Sequence, residues 1–190
     1  SVFVFPGQGS QSVGMMAALA QRDAVVGETF AEAAAVLGCD LWELVQQGPA
    51  EKLNETVNTQ PAMLAADVAT WRLWCKANGR RPDAVAGHSL GEYAALVAAG
   101  ALDFSAAVKL VRERAQRMQE AVPAGTGGIA AVLGLDDDAV AAACREAAQG
   151  EVVEPVNFNS PGQLVIAGHA GAVQRAIEAC KAAGAKRALL

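Results

Sequence analysis

Several residue types that typify particular protein classes are scarce in this chain. Acidic residues outnumber basic ones by 20 to 15, so the sequence lacks the basic face that nucleic-acid binding requires. No apolar run approaches the roughly 18 residues of a membrane span, and the sequence shows no signal-peptide pattern. We therefore expect a soluble, cytoplasmic protein that has neither a nucleic acid nor a membrane as its partner.

Histidine and cysteine are scarce as well. The chain has two histidines and four cysteines, and no two cysteines form a CxxC pair. The cysteines are Cys39, Cys75, Cys144 and Cys180. All four lie in stretches with helical patterns, so we expect small core residues rather than disulfides or metal ligands. The sequence predicts no metal site.

Hydrophobic residues are abundant, at 53% of the 190 residues, which is enough for a sizeable core. Val2–Phe5 and Asp83–Ala86 are short apolar runs that predict buried strands. The helix predicted over 58–77 has Asn58 as its cap and Pro61 in its first turn, and it ends at Asn78–Gly79. The other helices of this region are predicted from about residue 13 and over 28–37, 90–99 and 105–122.

The composition changes abruptly at Pro123–Gly128, which predicts two domains, residues 1–123 and 124–190. The second part alternates regularly between strand and helix patterns. Strands are predicted over 129–133, 152–158, 164–167 and 185–189, and helices over 136–149 and 170–183. The resulting order, β-α-β-β-α-β, predicts a ferredoxin-like domain. The whole chain is therefore expected to be an α/β protein.

Gly87-His88-Ser89-Leu90-Gly91 is a Gly-x-Ser-x-Gly motif between a predicted strand and a predicted helix. In this context the serine stands on a tight turn, and the glycines make room for the turn and for the helix. The helix start adds unpaired N–H groups that can stabilise an oxyanion. The motif predicts Ser89 as the nucleophile of an acyl-transferring enzyme, with an ordinary strand–helix turn as the alternative.

The loop Gly7-Gln8-Gly9 follows the first predicted strand. Its spacing fits neither a P-loop nor GxGxxG. It ends at the same sheet edge as the serine motif, where sites of α/β sheets form. Gln8 could offer a backbone N–H to an oxyanion there, or it could be a plain loop residue.

The 105–122 helix has a predicted apolar stripe formed by Ala107, Leu110, Val111, Ala115, Met118, Ala121 and Val122. Arg114 is predicted to project near the middle of this stripe. A buried guanidinium needs a partner, because leaving it unpaired is costly. It could form a structural ion pair, or it could clamp a substrate carboxylate in bidentate fashion. The residues of this helix leave both alternatives open.

Four stretches resemble the malonyl-CoA:acyl carrier protein transacylases of bacterial fatty acid synthesis. They are Phe5–Gln11, Asn58–Ala62, Gly87–Tyr93 and Asn157–Gln163. The resemblance covers the whole chain and corresponds to the N-terminal two-thirds of such proteins. It implies an α/β-hydrolase-like large subdomain, incomplete at its C-terminus, with a ferredoxin-like small subdomain.

The same resemblance implies roles for individual residues. Ser89 would carry the malonyl group, the backbone N–H groups of Gln8 and Leu90 would form the oxyanion hole, and Arg114 would hold the malonyl carboxylate. Supporting positions would be His88, Gly7, Gly9, Gln60 and Asn157. The family usually has glycine after this arginine, whereas this chain has Ala115, a small change that should not move the arginine side chain.

The reaction implied by the resemblance is ping-pong. Malonyl-CoA would acylate the serine, and the pantetheine thiol of acyl carrier protein would then take the malonyl group. Coenzyme A thioester would be a co-substrate, with no tightly bound cofactor and no metal. We expect a monomer.

The resemblance also implies that a histidine beyond the last strand acts as the base, and the sequence stops just short of that segment, as a truncated chain would. His88 is adjacent to Ser89 and poorly placed to accept its proton. His169 is expected to be a turn or helix-start residue. We therefore expect residues 1–190 to lack the catalytic base.

Three alternatives to this interpretation remain open. A serine thioesterase or hydrolase could share the serine motif, a non-enzymatic module could bind the carrier, and a polyketide-type acyltransferase could use malonyl or methylmalonyl units. If an acyl carrier protein docks on this chain, we expect a locally positive surface at the docking site. Two clusters offer it, one formed by Lys76, Arg80 and Arg81 and the other by Lys181, Lys186 and Arg187, although both could be plain solvated faces.

Overall fold

A computed structural model describes residues 1–78, 80–123 and 125–189. Gly79, the predicted helix end, and Ala124, the first residue of the predicted second domain, lie outside the described residues. The chain divides into two compact units, Ser1–Ala121 and Val122–Leu190. Within the described ranges no helix is long and apolar enough to cross a membrane.

The first unit contains a parallel pair of strands surrounded by helices. Strands β1 and β2 pair in register, with Phe5 opposite Gly87. In chain order the elements are β1 (Val2–Phe5), α1 (Ala17–Ala20), α2 (Val25–Leu37), α3 (Leu41–Gln47), α4 (Ala50–Asn54), α5 (Thr56–Asn78), β2 (Ala84–Gly87), α6 (Gly91–Ala98) and α7 (Phe104–Glu120). Because parallel strands run the same way, the loops that follow β1 and β2 meet at one edge.

Helix α5 begins at Thr56 rather than at the predicted cap Asn58, so Pro61 lies inside the helix. Proline has no N–H to donate to the carbonyl four residues earlier, which here is that of Val57. Arg112 Nη1 on α7 donates to this freed carbonyl at 2.7 Å. The proline is therefore tolerated because a neighbouring helix supplies the missing donor.

Helices α3 and α4 are absent from the sequence-based expectations. Both are short, and their hydrophobic repeat is too brief to give a clear period. Asp40 caps α3, because its Oδ1 accepts the N–H of Glu43 at 2.8 Å. This capping pattern is the sequence signal that could have located α3.

The buried face of α7 is rotated from the predicted stripe. Its buried residues are Phe104, Ala107, Val108, Val111 and Ala115. The predicted stripe also held Leu110 and Met118, which are 47% and 50% exposed. After Phe104 at the start of the helix, the side chains that face the core are small or β-branched rather than the longer apolar ones. This rotation moves Arg114 to the flank of the buried face.

The second unit has the predicted β-α-β-β-α-β order. Its elements are β3 (Gly127–Leu133), α8 (Asp137–Ala148), β4 (Val153–Ser160), β5 (Gln163–His169), α9 (Ala170–Ala182) and β6 (Arg187–Leu189). The strands form one antiparallel sheet in the order β4-β5-β3-β6. Helices α8 and α9 pack on each other and on this sheet, and they bury a separate apolar core.

All four cysteines are free thiols. Cys144 on α8 and Cys180 on α9 are buried core residues, as predicted, and burial raises the pKa of the Cys144 thiol to about 11. Cys39 contradicts the prediction, because it is exposed and lies in the turn that follows α2. Gly38 at φ 69° ends that helix one residue earlier.

Asp67 on α5 is a buried acidic residue. Its side chain is 8% exposed, and Oδ2 finds no hydrogen-bond partner among the described residues. Desolvation raises the pKa of this carboxyl to about 7. The unfolded chain releases the same proton near pH 4, so the native state holds a proton that the unfolded state has lost. The stability conferred by this proton is present below about pH 4 and is lost as pH rises toward 7.

Replacing Asp67 by asparagine is therefore expected to flatten the dependence of stability on pH. The native protein should lose about 2 kcal/mol of unfolding free energy between pH 5 and pH 7 that the variant retains. Urea unfolding followed by tryptophan fluorescence measures this, because Trp42, Trp71 and Trp74 all lie in the first unit. Glu120→Gln, at an exposed position on α7, is the matched control. Parallel pH curves for native protein and Asp67→Asn would contradict the prediction.

Candidate active site

Ser89 stands on a sharp turn between β2 and α6. Its φ is 53°, a left-handed conformation that is costly for a residue with a side chain. The turn is closed by hydrogen bonds from Gly91 N to His88 O at 2.9 Å and from Glu92 N to Ser89 O at 3.2 Å. The predicted nucleophile therefore has the strained strand–turn–helix geometry that the motif requires.

The two glycines of the motif are required by close backbone contacts. A Cβ on Gly87 would lie 2.1 Å from the carbonyl carbon of Gly91, and a Cβ on Gly91 would lie 2.2 Å from the carbonyl oxygen of Phe5. No real Cβ tolerates such distances, so helix α6 can approach the strands this closely only without side chains at these positions. The N-terminal end of α6 is thereby held directly behind Ser89, where its dipole favours negative charge.

The loop after β1 lies against this turn. A Cβ on Gly7 would be 2.9 Å from His88 O and 3.8 Å from Ser89 Cβ, so the loop backbone passes beside the serine. Among the described residues, the backbone N–H groups of Gln8 and Leu90 donate no hydrogen bond. The Gln8 side chain points to α5, where Nε2 donates to Thr56 Oγ1 at 3.3 Å.

Gly9 and Gln11 shape the rest of that loop. Gly9 has φ 122°, a conformation that favours glycine. Its N–H donates to Gln11 Oε1 at 2.9 Å, and Gln11 Nε2 donates to Asn54 Oδ1 at 2.9 Å. The loop is thus tied to the end of α4, which holds the backbone near Gln8 in place.

Arg114 joins the serine to α5. Its Nη1 donates to Gln60 Oε1 at 2.7 Å, and its Nη2 donates to Ser89 Oγ at 2.9 Å. The guanidinium also lies 5.9 Å from the ring centre of Tyr93. Side chains from α5, α6 and α7 therefore meet at one positive charge, the Arg114 guanidinium, which lies beside Ser89.

The position of Arg114 differs from the expected one. It was predicted near the middle of a buried stripe, but it is half-buried on the flank of α7. No carboxylate pairs with it among the described residues, so the structural ion pair is not present there. The guanidinium remains accessible to a substrate group while Gln60, which is fully buried, fixes one of its edges.

Met118 is a contact that the sequence reasoning missed. Gln60 Nε2 donates to Met118 Sδ at 3.3 Å, so the amide is held between Arg114 and Met118. The signal available in the sequence was the spacing, since Met118 follows Arg114 by four residues on one helix and therefore shares its face. The stripe prediction assigned this methionine to the core instead.

Asn157 and His169 belong to the second unit, and Lys76 belongs to the first. Asn157 is exposed on β4 of the second unit. His169 is engaged in its own unit, because its Nδ1 accepts the N–H of Val152 at 3.0 Å, in keeping with the helix-start role expected for it. Lys76 is paired with Asp23 at 2.7 Å and lies about 24 Å along α5 from Gln60, so its cluster is not beside Ser89.

The assembled groups suit attack on a carbonyl. Ser89 Oγ accepts a hydrogen bond from Arg114, so its own proton remains available for transfer to a base. A fixed cation near Oγ stabilises a carboxylate or a developing negative charge. Within the described residues, no cluster of histidine, cysteine or acidic side chains could hold a metal ion.

A serine on a glycine-flanked turn, with N–H groups and a guanidinium around it, is the arrangement expected of an acyl-transfer site. The family model for the acyl transferase domain matches residues 2–189. The chain therefore belongs to the acyl transferase domain family.

Its relatives are named more specifically. The chain is 65% identical over 187 residues to the malonyl CoA-acyl carrier protein transacylase of Salmonella typhimurium, covering 98% of this chain and 60% of that protein. It is 47% identical to the protein of the same name from Bacillus subtilis, covering 98% of this chain and 59% of the relative. The chain thus spans about 60% of the length of the curated relatives it matches.

Solved structures of malonyl-transacylases also resemble this chain. A type II polyketide synthase acyl-carrier protein in complex with its malonyl-transacylase matches with a TM-score of 0.96 and 62% identity, over 99% of this chain and 61% of that one. The malonyl CoA-acyl carrier protein transacylase from Coxiella burnetii matches with a TM-score of 0.97 and 54% identity, over 99% of this chain and 60% of that one. The α/β fold of the chain is therefore that of malonyltransferase structures.

Proposed function

We propose that the protein transfers a malonyl group from malonyl-CoA to the pantetheine thiol of acyl carrier protein, through a malonyl-Ser89 intermediate, in fatty acid synthesis. The observation that carries the proposal is the contact between Arg114 Nη2 and Ser89 Oγ at 2.9 Å. A guanidinium at this distance supports the binding of a carboxylate that lies within one short acyl group of Ser89. The names of the relatives support the same substrates.

The chemistry proceeds in two half-reactions. Ser89 Oγ attacks the thioester carbonyl and gives its proton to a base, and the C–S bond breaks to release coenzyme A as the thiol. The pantetheine thiol then attacks the serine ester, which re-forms the serine hydroxyl. The N–H groups of Gln8 and Leu90 would stabilise the oxyanion in both steps, and Arg114 would hold the malonyl carboxylate in bidentate fashion.

We propose that neither His88 nor His169 is the general base. The ring of His169 already accepts the Val152 N–H, and His88 precedes the nucleophile on a turn that directs its carbonyl to Gly91 N. We further propose that the first unit is an α/β-hydrolase-like large subdomain and the second a ferredoxin-like small one. The sheet order β4-β5-β3-β6 supports the latter.

The proposal includes a cytoplasmic monomer. Four free thiols without a disulfide are typical of a reducing compartment. Coenzyme A enters only as a co-substrate, and the proposed chemistry requires neither a tightly bound cofactor nor a metal.

A polyketide-type carrier is the second candidate acceptor. The matched complex contains such a carrier protein, and the malonyl-transfer chemistry would be unchanged. A simple esterase or thioesterase is disfavoured, because the hydrolysis of a neutral ester needs no group that binds a carboxylate beside the nucleophile.

Intact-mass analysis of the whole protein that contains residues 1–190, mixed with malonyl-CoA, tests the intermediate. One malonyl group should appear per chain, map to Ser89 and be lost again when acyl carrier protein is added. Ser89→Ala should abolish the adduct, because the proposed malonyl ester forms on the Ser89 oxygen. His169→Asn, which keeps an acceptor for Val152, should acylate normally. An adduct on Ser89→Ala, or no adduct on His169→Asn, would overturn the respective assignment.

A further inference from the structure

Met118 differs from the other methionines of the chain in its exposure. Its side chain is 50% exposed, whereas Met63 is 4% exposed and Met15 and Met16 are half-buried. Its sulfur nevertheless contacts the buried interior of the site, because Gln60 Nε2 lies 3.3 Å away. A thioether that solvent can reach therefore supports a buried amide next to the nucleophile.

The contact continues to Ser89 through two further residues. Gln60 Oε1 must be the atom that faces Arg114, because a guanidinium can only donate, and this fixes the amide nitrogen toward Met118. Arg114 and Met118 are four residues apart on α7, so their side chains are neighbours on the helix surface. A change of polarity at the Met118 sulfur therefore alters the hydrogen bonding of both Gln60 and Arg114.

We propose that Met118 is an oxidation site that controls how Arg114 binds a substrate carboxylate. A hydroperoxide such as hydrogen peroxide transfers one oxygen to the thioether. The O–O bond breaks, an S=O bond forms, the sulfur loses two electrons, and the second oxygen leaves as water with both protons. The step creates methionine sulfoxide at the edge of the site.

The consequence follows from the strength of the new acceptor. A thioether sulfur accepts hydrogen bonds weakly, whereas a sulfoxide is polar and carries a partially negative oxygen. That oxygen competes with a substrate carboxylate for the Arg114 guanidinium, which donates to charged and polar acceptors strongly. Oxidation therefore raises the KM for a carboxylated acyl donor and leaves a neutral donor almost unaffected.

The inference rests on the proposed function, and the experiment separates the two. The purified protein is treated with hydrogen peroxide and then with dithiothreitol, which reverses oxidation of exposed thiols such as Cys39. Acylation of Ser89 is measured with malonyl-CoA and with acetyl-CoA before and after treatment. We expect kcat/KM for malonyl-CoA to fall about tenfold relative to acetyl-CoA, with one added oxygen mapped to Met118 and full recovery after methionine sulfoxide reductase.

Each variant is compared with its own untreated sample. Met118→Leu should make the malonyl-to-acetyl ratio insensitive to peroxide, and Met15→Leu should leave it as sensitive as in the native protein. An unchanged ratio with Met118 oxidised, a ratio that still falls in Met118→Leu, or no recovery with the reductase would each overturn the proposal. Failure of the proposed function itself would show differently, as no preference for malonyl-CoA in the untreated protein.

Discussion

Substituting alanine for Arg114 is expected to lower kcat/KM for malonyl-CoA by about 100- to 1,000-fold, because a carboxylate that loses its charge-paired partner costs several kcal/mol. Acetyl-CoA has no carboxylate for this group to hold, so its use should fall little. The ratio of the two rates is the measured quantity. It is insensitive to a general folding defect, which matters because Gln60 Oε1 is buried and loses its donor in the variant.

Arg117→Ala is the matched control for Arg114→Ala. Arg117 lies one turn closer to the helix end, is 76% exposed and pairs with Glu113 on its own helix. Surface ion pairs of this kind contribute little to stability. The rates with malonyl-CoA and with acetyl-CoA should therefore both stay unchanged. Retained malonyl preference in Arg114→Ala, or an equal loss in Arg117→Ala, would show that Arg114 is not the carboxylate clamp.

Alanine at Gly91 is expected to prevent the first unit from folding. The added Cβ would meet the Phe5 carbonyl oxygen at 2.2 Å and the Pro6 carbonyl oxygen at 2.6 Å. Both are backbone atoms of the strand end and the loop after it, so α6 would have to move away from β1. Changes of this kind belong to the rare class that costs more than about 4 kcal/mol. Tryptophan fluorescence and soluble yield report the result.

Gly27→Ala is a control for which we expect the opposite effect on stability. Gly27 lies inside α2, where an added methyl group would have no neighbouring atom within 4 Å and φ is ordinary. Alanine there should stabilise the first unit by up to about 1 kcal/mol, because it has the better helix propensity. If Gly91→Ala unfolds at the same urea concentration as the native protein, the close approach of α6 to β1 is not required.

Local patterns predicted the elements that depend on near neighbours in sequence. The strand before the loop with Gln8 is found at Val2–Phe5 as expected, although Val2 and Val4 are exposed rather than buried. The helix predicted from residue 105 begins at Phe104 and is capped by Asp103, which accepts the Ala106 N–H at 3.0 Å. Caps and apolar alternation act over a few residues, so they can be recognised without knowing the fold. The order of elements in the second unit was predictable for the same reason.

The rotation of α7 was not predictable in this way. Leu110 and Met118 are as hydrophobic as Val108 and Ala115, yet the latter pair is buried. The choice depends on how closely the facing helices approach, which favours short side chains at the contact. Local patterns fail for Asp67 as well. Its neighbours in sequence do not indicate that this carboxyl is buried or that its Oδ2 finds no hydrogen-bond partner among the described residues.

The sequence by itself determined the serine turn. Glycines on either side of Ser89 remove the Cβ atoms that would block α6 and the strand ends, and no other residue type can do this, so the five-residue motif carries its own geometry. Only the tertiary structure decided what surrounds that serine. Gln60 and Arg114 come from different helices, 54 residues apart in the chain, and their meeting beside Ser89 depends on the packing of α5, α6 and α7. A motif of adjacent residues is specified by local sterics, whereas the position of the Arg114 guanidinium beside Ser89 depends on the sum of many distant packing contacts.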